Sequence, residues 1–413
     1  MKKTFGMMAV LCMAVLMASC DKLFGGGSGA AYTMTAFAFQ EEEDGEWGIM
    51  DMDGKVLVKP QFKNSPTAVI NGTFAVSNYE EGDEENITYT VYSIDGEGNT
   101  DKIGTYKDAG SFTSDLCPVV DMKDNVRYID KEGNSPFDIK KIKGQKPIIA
   151  YGFFDGLAML KLENGKWGYI NEQGEVAIPF KYDDAWNFAE GLGIVYNGQQ
   201  GEPNAKWSVI DKEGNVLFTK KFEDMEPSNY RYYDGLLAVR TIADNRIILI
   251  DREGKAVKKL KEDIFPSNIY GGIFAFYNGD SNKYGLMNSE GKILMKERYD
   301  NVSYNGKILT ANVDEKKAYL FNTEGEKLGK LPKGYVMLFE PEFKKYDQRL
   351  LVGSYDEGYV LVDNEGNELD TEADISGYNS GFWFNCAINM EEEDFDGDYY
   401  DEEMAADSVA VAE

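Results

Sequence analysis

Carboxylates are the side chains with the greatest capacity for chemistry in this sequence. The chain has 72 Asp and Glu residues, 43 Lys and Arg residues and no histidine. The lack of histidine excludes Ser-His and Cys-His nucleophile pairs, and it removes the commonest general base and metal ligand. A carboxylate pair of the glycosidase kind stays open, but the sequence does not single one out. We therefore expect no catalytic residue, no metal and no cofactor.

The acidic residues are concentrated at the end of the chain, where residues 391–413 carry eleven of them and no basic residue. Asp394–Asp398 resembles the start of an EF-hand loop, which needs Gly at the position of Tyr399 and a bidentate Glu at the position of Ala405. Both are missing, so we predict that 391–413 is a disordered acidic tail. The net charge of −29 also argues against a nucleic acid partner.

Two further groups of residues are candidates for binding. Tyr230–Tyr233 could stack on a sugar, or it could fill the core of a loop. The acidic loops Glu41–Asp44 and Glu80–Glu85 take similar places in two repeats and could bind a cation if they are adjacent. Solvated hairpin ends are the alternative interpretation of these two loops.

A lipidation signal is indicated at the start of the chain. A short basic segment precedes an apolar run from Phe5 to Met17, which is too short to span a bilayer comfortably. Leu16–Cys20 then resembles the lipobox of bacterial lipoproteins, with Met17 in place of the usual Leu. The resemblance implies a signal peptide over 1–19, a lipid on Cys20 that anchors the protein in a membrane, and a location in the bacterial cell envelope, at the outer membrane. Residues 20–30 are rich in glycine and predict a flexible tether.

One signature recurs nine times in the rest of the chain: an apolar residue, Asp or Asn, two mostly polar residues, and Gly. Asp or Asn at the first position of a type I turn accepts hydrogen bonds from turn amides, and Gly at the fourth adopts a positive φ at little cost. The signature therefore predicts nine structural β-hairpin turns, spaced by 34 to 44 residues. The nine turn glycines are Gly54, Gly98, Gly133, Gly174, Gly214, Gly254, Gly291, Gly325 and Gly366.

Strand-like segments flank each turn, and the fourth repeat shows them most clearly. Leu157–Leu162, Trp167–Ile170 and Glu175–Pro179 are predicted as three antiparallel strands, and Tyr182–Phe188 is a candidate for a fourth. Apolar residues lie on both faces of the segment before each turn. This pattern predicts strands that are buried between stacked sheets.

The residues around several turns resemble the WG (or KWG) repeat family. The strings that carry the resemblance are Glu46–Asp51, Lys166–Asn171, Lys283–Asn288 and the downstream Ile178–Asp183. The resemblance covers residues 31 to about 390 and is strong in repeats one, four and seven, while repeat five keeps Trp207 but has Ser208 in place of glycine. The family occurs mainly in bacterial proteins and has no general catalytic activity or shared ligand site. It implies an architecture and an interaction role.

We therefore predict an all-β fold over residues 31–390, built from nine short antiparallel β-meanders arranged as a β-propeller-like ring. An open β superhelix is the alternative, since ten segments of the Leu157–Leu162 type are present: Thr33–Phe39 precedes the first turn and Phe382–Asn389 follows the last. The predicted function is non-enzymatic binding or scaffolding of a protein or glycan at the cell envelope. The alternative is an envelope hydrolase that acts on glycans through an unidentified carboxylate pair.

Cys117 and Cys386 are predicted to remain unpaired, although export leads to an oxidising compartment. They lie 19 and 20 residues after their turn glycines and so take nearly the same place in repeats two and nine. Repeat one would separate them even in a closed ring. That separation exceeds the ~7 Å between Cα atoms that a disulfide tolerates.

Overall fold

The fold is described from a computed structural model, and the part of the chain that it describes consists of strands and turns without a helix. The described residues are 34–79, 87–137, 139–198, 201–228, 230–261, 264–266, 272–304, 308–314, 316–336, 349–354, 358–379 and 387–390. The strands pair antiparallel throughout these ranges, which confirms the all-β prediction. No helix that could cross a membrane is found in them.

Each repeat is a meander of up to four strands, which we call inner, second, third and outer by their order in the sheet. The inner strands are β4 Val69–Ile70, β8 Asp108–Ala109, β11 Pro147–Phe154, β15 Asp184–Ala185, β19 Met225–Pro227, β23 Ile264–Pro266, β27 Asn301–Tyr304 and β33 Gly377–Asn379. The second strands are β1 Met34–Gln40, β5 Thr73–Asn78, β9 Cys117–Val120, β12 Leu157–Leu162, β16 Leu192–Asn197, β20 Leu237–Thr241, β24 Ile273–Asn278, β28 Leu309–Asp314 and β31 Arg349–Ser354. The third strands are β2 Trp47–Asp51, β6 Thr88–Ile94, β10 Val126–Ile129, β13 Trp167–Asn171, β17 Lys206–Asp211, β21 Ile247–Ile250, β25 Lys283–Asn288, β29 Lys317–Phe321 and β32 Gly358–Asp363. The outer strands are β3 Val56–Phe62, β7 Thr100–Tyr106, β14 Val176–Tyr182, β18 Val216–Lys221, β22 Ala256–Lys259, β26 Ile293–Tyr299 and β30 Lys327–Lys330. One further strand, β34 Ala387–Asn389, stands outside this scheme.

The hydrophobic core lies between neighbouring sheets. Third strands such as β13 and β17 have runs of four buried residues, because their continuous apolar sequences are covered on both faces. The buried clusters bridge adjacent repeats: Val91 of repeat two packs in one cluster with Ile129 of repeat three. Phe39 of repeat one and Leu361 of repeat nine likewise share a cluster. Burial therefore couples each repeat to its neighbours, as expected for a repeat array.

The two ends of the array meet, so the nine repeats form a closed ring. Strand β33 comes from the chain after repeat nine and pairs with Ala38–Gln40 of β1, whose first residues pair with β4 of repeat two. The backbone N–H of Glu372 donates to the carbonyl of Gly54 at 2.8 Å, and Arg349 Nε donates to Asp53 Oδ1 at 2.8 Å. A closed ring of radially arranged antiparallel sheets is a β-propeller, so the alternative of an open superhelix is wrong.

The sequence contains ten segments of the Leu157–Leu162 type, and the last of them, Phe382–Asn389, neither opens the ring nor adds a repeat. The described end of Phe382–Asn389 forms β34, which pairs with the inner edge of β11 in repeat four. The chain end thus pairs with two different repeats, through β33 with repeat one and through β34 with repeat four. Within repeat four, the outer strand runs through Tyr182, and the predicted fourth strand shrinks to Asp184–Ala185, which opens repeat five.

Several predicted features lie outside the described residues. These are the signal peptide 1–19, Cys20 and the tether 20–30, the loop Glu80–Glu85, Cys386, and the tail 391–413 with its EF-hand-like segment. Cys117 lies within them and has a free, buried thiol whose pKa is raised by burial. The prediction that Cys117 and Cys386 do not pair stays a prediction.

Candidate functional site

The nine recurrent Asp and Asn residues are bound within their own turns. In every repeat the N–H of the turn glycine donates to the carbonyl of this residue, at 2.8 to 3.2 Å. Its side-chain Oδ1 accepts a second bond from the N–H four residues on, at 2.7 to 3.0 Å. Side-chain hydrogen bonds from Asn99 and Asn215 lower the pKa of Asp95 and Asp211. These carboxylates serve the hairpins and are a poor basis for acid–base catalysis.

The nine turn glycines have a second role between repeats. Each has a positive φ, between +74° and +93°. A Cβ atom on each would also approach the preceding repeat: on Gly98 it would lie 2.1 Å from Leu57 O, and on Gly54 it would lie 2.9 Å from Asp370 O of repeat nine. The same relation in all nine repeats, including the step from nine to one, shows that the turns are contact points around the ring.

A second set of turns, which the sequence analysis missed, joins consecutive repeats through carboxylates. These turns link inner and second strands, and their Asp or Glu and Gly both have positive φ. Asp155 Oδ2 accepts from Gly191 N at 2.8 Å, Glu190 Oε2 accepts from Gly235 N at 2.8 Å, and Asp234 Oδ2 accepts from Gly272 N at 2.9 Å. The carboxylate of one repeat thus caps the turn of the next. The recurrent Asp-Gly and Glu-Gly dipeptides before apolar segments are the signal that identifies them.

The aromatic patch fills the core and does not offer a binding platform. Tyr232 and Tyr233 are buried, each 1% exposed. Tyr230 stacks on Trp186, with ring centroids 4.4 Å apart and planes at 9°. Burial raises the pKa of Tyr232. Of the two interpretations of Tyr230–Tyr233, the structure supports the one in which these side chains pack inside the protein.

The acidic loop Glu41–Asp44 is exposed at the hairpin between β1 and β2. No group of three or more Asp, Glu or Cys residues placed to hold a metal ion is found in the described ranges. The partner loop Glu80–Glu85 lies outside them, so the proximity of the two loops stays a prediction.

The outer strands carry a charge opposite to that of the whole chain. Together they hold eleven basic and two acidic residues, in a protein of net charge −29. The basic residues are Lys59, Lys102, Lys181, Lys220, Lys221, Lys258, Lys259, Lys296, Arg298, Lys327 and Lys330, and the acidic residues are Asp101 and Glu297. The side wall of the ring is therefore basic, because the outer strands form it.

Repeats five to eight add exposed apolar side chains to this wall, and we call the strands β18, β22, β26 and β30 the outer arc. The exposed apolar residues of the outer arc are Val216 (53%), Leu217 (45%), Val257 (54%), Ile293 (43%) and Leu328 (40%). Outside the arc, Val176 on the outer strand of repeat four is also exposed (42%), whereas Val56, Leu57 and Ile103 on the wall of repeats one and two are half-buried. The outer arc is thus a contiguous side of the ring that combines basic and apolar groups.

Edge protection explains part of this surface. Lysines on edge strands discourage unwanted strand pairing, and several are engaged: Lys221 binds Glu223 at 2.7 Å and Lys259 binds Asp244 at 2.7 Å. Lys258 and Lys296 have no salt bridge within the described part of the chain. Edge protection does not account for five large apolar side chains that are 40–54% exposed. These side chains, together with lysines that have no salt bridge in the described ranges, make the outer arc the candidate interaction surface.

The fold and surface together define a nine-bladed β-propeller with a basic, apolar outer arc. Three segments, 47–77, 167–199 and 207–241, match the family described as the WG containing repeat. Each begins at a motif tryptophan, in repeats one, four and five. The match includes repeat five despite Ser208, and it does not include repeat seven, where we expected a strong resemblance. No curated protein sequence matches the chain.

Solved structures with similar folds have unrelated sequences. The crystal structure of a eukaryotic initiation factor aligns with a TM-score of 0.55 and 11% identity, and the alignment covers 86% of this chain and 98% of that one. The computationally designed protein Ika8 gives a TM-score of 0.38 at 11% identity, over 63% of this chain and 85% of that one. BamB from Moraxella catarrhalis gives 0.38 at 10% identity, over 68% and 96%. The similarity to the initiation factor supports the fold and carries no information about activity.

Proposed function

We propose that this protein is a non-enzymatic, lipid-anchored scaffold of the bacterial cell envelope that binds a partner protein through its outer arc. The observation that carries the proposal is that the outer strands of repeats six and seven hold exposed Val257 and Ile293 together with half-buried Lys258 and exposed Lys296. Apolar and cationic groups side by side suit a partner surface that has apolar and acidic groups. The lipobox at Cys20 supports the envelope location.

A protein partner is favoured over a glycan. Glycan-binding sites commonly present exposed aromatic rings, because sugar faces stack on them. Trp167, Trp186 and Trp207 are at most 5% exposed. Of the large hydrophobic residues that are exposed in the described ranges, Tyr79 is the only aromatic one. The apolar residues of the outer arc are aliphatic, which suits packing against protein side chains.

Site-specific photo-crosslinking in cells tests the arc. A photoreactive residue at Val257 should give discrete crosslinked products, whereas the same residue at Lys102, on the wall of repeat two, should give few. Charge reversal of Lys258 and Lys296 should reduce the products from Val257, since it repels an acidic partner. Equal crosslinking from Val257 and Lys102, or products that survive the charge reversal, would refute the role of the arc.

The anchor is tested separately through Cys20. Cys20→Ala should remove the lipid, so that the protein moves to the aqueous phase in detergent partitioning or accumulates with its signal peptide. A Cys20→Ala protein that partitions like the wild type would show that the anchor lies elsewhere. This result would leave the test of the outer arc unaffected.

A further inference from the structure

Repeat three lacks an outer strand in the part of the chain that the structure describes. Seven repeats cover the outer edge of their third strand with an outer strand, and in repeat nine residues 368–375 do so, with Tyr359 N donating to Ile375 O at 3.0 Å. In repeat three, β10 pairs with β9 and with no other described strand. After the turn at Gly133 the chain leaves the sheet at Pro136, which has no N–H to offer to a strand.

The backbone groups of Val126 and Tyr128 face this open edge. At the hairpin between β9 and β10, Asp121 N donates to Asn125 O at 3.0 Å, so Asn125 directs its backbone groups toward β9. Alternate residues of a strand point their N–H and C=O groups to opposite sides, which turns those of Val126 and Tyr128 outward. Within the described residues, Ser135 Oγ donates to Tyr128 O at 3.0 Å, and no backbone group bonds to Val126 N, Val126 O or Tyr128 N.

A pocket of about 350 Å³ lies along this edge, with Val126, Ser135 and Phe137 in its lining. The edge also has none of the devices that usually prevent strand addition. Strand β10 contains neither lysine nor proline, and its pairing with β9 has no bulge. Its one charged residue, Arg127, donates its Nε–H to Asp121 Oδ2 at 2.8 Å. An unprotected edge with room beside it suits an added strand.

Repeat five shows in which register such a strand fits. Six residues before its turn glycine it has Ser208, where repeat three has Arg127 and the WG motif has a glycine. The third and outer strands of repeat five pair continuously at Ser208. Counted in the same way, Tyr128 corresponds to Val209, which pairs with half-buried Phe218. We therefore expect regular antiparallel pairing along β10.

The added strand needs an apolar residue opposite Tyr128. The buried Tyr128 ring packs against half-buried Phe137, with ring centroids 5.7 Å apart. An apolar side chain placed as Phe218 is placed in repeat five would extend this contact, because residues opposite each other in a sheet share a face.

We propose that an extended segment of another protein adds to β10 as the missing outer strand of repeat three. It exchanges backbone hydrogen bonds with Val126 and Tyr128 and places an apolar side chain opposite Tyr128. The three-stranded sheet of repeat three then gains the fourth strand that most other repeats have. This site goes beyond the proposed function, since the outer arc binds through side chains of repeats five to eight.

A peptide with the sequence of residues 215–221, which contains the outer strand of repeat five, is the probe. Its binding to the purified protein is measured by fluorescence anisotropy, and hydrogen exchange with mass spectrometry locates the bound peptide. We expect slower exchange over residues 125–129 and unchanged exchange in the outer strands β14 and β18, because only β10 gains hydrogen bonds.

Two methylated forms of the peptide test the backbone bonds. In repeat five Phe222 N donates to Ala205 O at 3.1 Å, so the N–H of Lys220 also points at the third strand and that of Thr219 points away. N-methylation at Lys220 should weaken binding by about tenfold, because it removes the bond to Val126 O and blocks the approach. N-methylation at Thr219 should change binding by less than about twofold, since that N–H faces water.

Proline substitutions give the matched test in the protein. Val126→Pro removes an outward N–H that an edge strand can spare, and it should weaken binding of the probe by about tenfold. Thr219→Pro, which removes an outward N–H from β18, should leave binding unchanged. Melting curves check the fold of both variants, and the methylated peptides decide the matter if Val126→Pro does not fold.

Three outcomes would overturn the proposal. A probe that does not bind at concentrations up to about 1 mM would show that the edge is closed. Equal effects of the two methylations, or slower exchange in other strands, would place the probe elsewhere. Binding only after deletion of residues 391–413, or only with loss of a dimer, would make this chain or a second copy the donor of the strand. None of these outcomes bears on the outer arc, whose test is crosslinking from Val257.

Discussion

At the scale of single residues, the turn glycines show how one residue type meets two independent demands. The sequence indicated the first demand, a positive φ at the fourth turn position, because it is local and recurs nine times. The second demand is the close approach of the preceding repeat, which the structure shows at Gly98 and Gly54. A contact between segments about forty residues apart leaves no mark in the turn itself.

Two glycines of repeat four separate these demands experimentally. Gly174 and Gly165 have φ values of +78° and +76°, but a Cβ on Gly174 would lie 2.4 Å from the Phe137 ring, whereas one on Gly165 would meet nothing within 4 Å. We expect Gly165→Ala to cost about 1 kcal/mol of unfolding free energy from backbone strain alone. Gly174→Ala should cost about 1–3 kcal/mol more, because Phe137 must move. Equal losses in chemical denaturation would show that the turn contact between repeats is not tight.

Asp108 predicts a pH dependence of stability. It is half-buried in β8, and its carboxylate accepts hydrogen bonds from Ala109 N at 2.8 Å and from Asn389 N of β34 at 3.3 Å. Desolvation raises its pKa from 3.8 to about 6, and the two hydrogen bonds oppose this rise. Because the pKa is higher in the folded than in the unfolded state, the stability linked to this group is full below pH 4 and is lost as the pH rises through 6.

Asp108→Asn should remove this dependence. The variant should be more stable than the wild type at pH 8, by about 1–2 kcal/mol, which is below the ceiling of about 3 kcal/mol from the pKa shift because the carboxylate keeps some exposure. At pH 4 the two proteins should unfold alike. The measurement is the difference between their unfolding free energies at the two pH values. A difference that does not change with pH would exclude an elevated pKa at Asp108.

Much of the candidate site lies beyond what single residues reveal in the sequence. The aromatic run Tyr230–Tyr233 left two interpretations open, and burial decided between them. The capping carboxylates Asp155, Glu190 and Asp234 have a local signal in their Asp-Gly or Glu-Gly dipeptides, but their acceptor role depends on the neighbouring repeat. Sequence periodicity predicts which residues form a turn and does not predict what that turn contacts.

At the scale of elements, the glycine of the WG motif is explained by an irregular outer strand. In repeat four Trp167 pairs with Tyr182, and Tyr169 pairs with Ile178. A step of two residues along β13 is therefore matched by a step of four residues along β14. Repeats one and seven have the same irregularity. The extra residues bring the outer strand over Gly168, where a Cβ would lie 2.8 Å from Phe180 N. In repeat five the pairing is continuous at Ser208, so a side chain fits.

This contrast predicts that the motif glycine cannot accept the residue found in repeat five. Gly168→Ser should destabilise the protein by about 1–3 kcal/mol, because backbone atoms of β14 occupy the space of its Cβ. Ser208→Ala should cost about 1 kcal/mol or less, since it removes one bond of 2.8 Å to the exposed Thr219. Denaturant titrations of the two variants provide the comparison. A Gly168→Ser protein as stable as Ser208→Ala would mean that β14 shifts freely.

At the scale of the whole molecule, the strand count could not decide between ring and superhelix. The count of ten strand-like segments for nine turns favoured an open array. The tenth segment, Phe382–Asn389, adds no repeat, because its described end forms β34, which pairs with repeat four. Closure thus depends on pairing between segments more than three hundred residues apart, such as Phe39 with Tyr378, which no local pattern encodes.

The chain end therefore divides into a part that closes the ring and a part that does not. Deleting 377–413 removes β33 and β34, leaves Ala38–Gln40 of β1 without their partner strand and uncovers the apolar cluster that contains Phe39 and Ala387. We expect its melting temperature to fall by more than about 10 °C, because several kcal/mol of burial and strand pairing are lost. Deleting 391–413 alone should change it by no more than about 3 °C, since a segment with eleven acids and few apolar residues can bury little surface. Differential scanning calorimetry on the two truncations separates the cases. Similar melting temperatures for both would show that the ring is held by the contacts of Asp53 with Arg349 and of Gly54 with Glu372, without help from the paired strands.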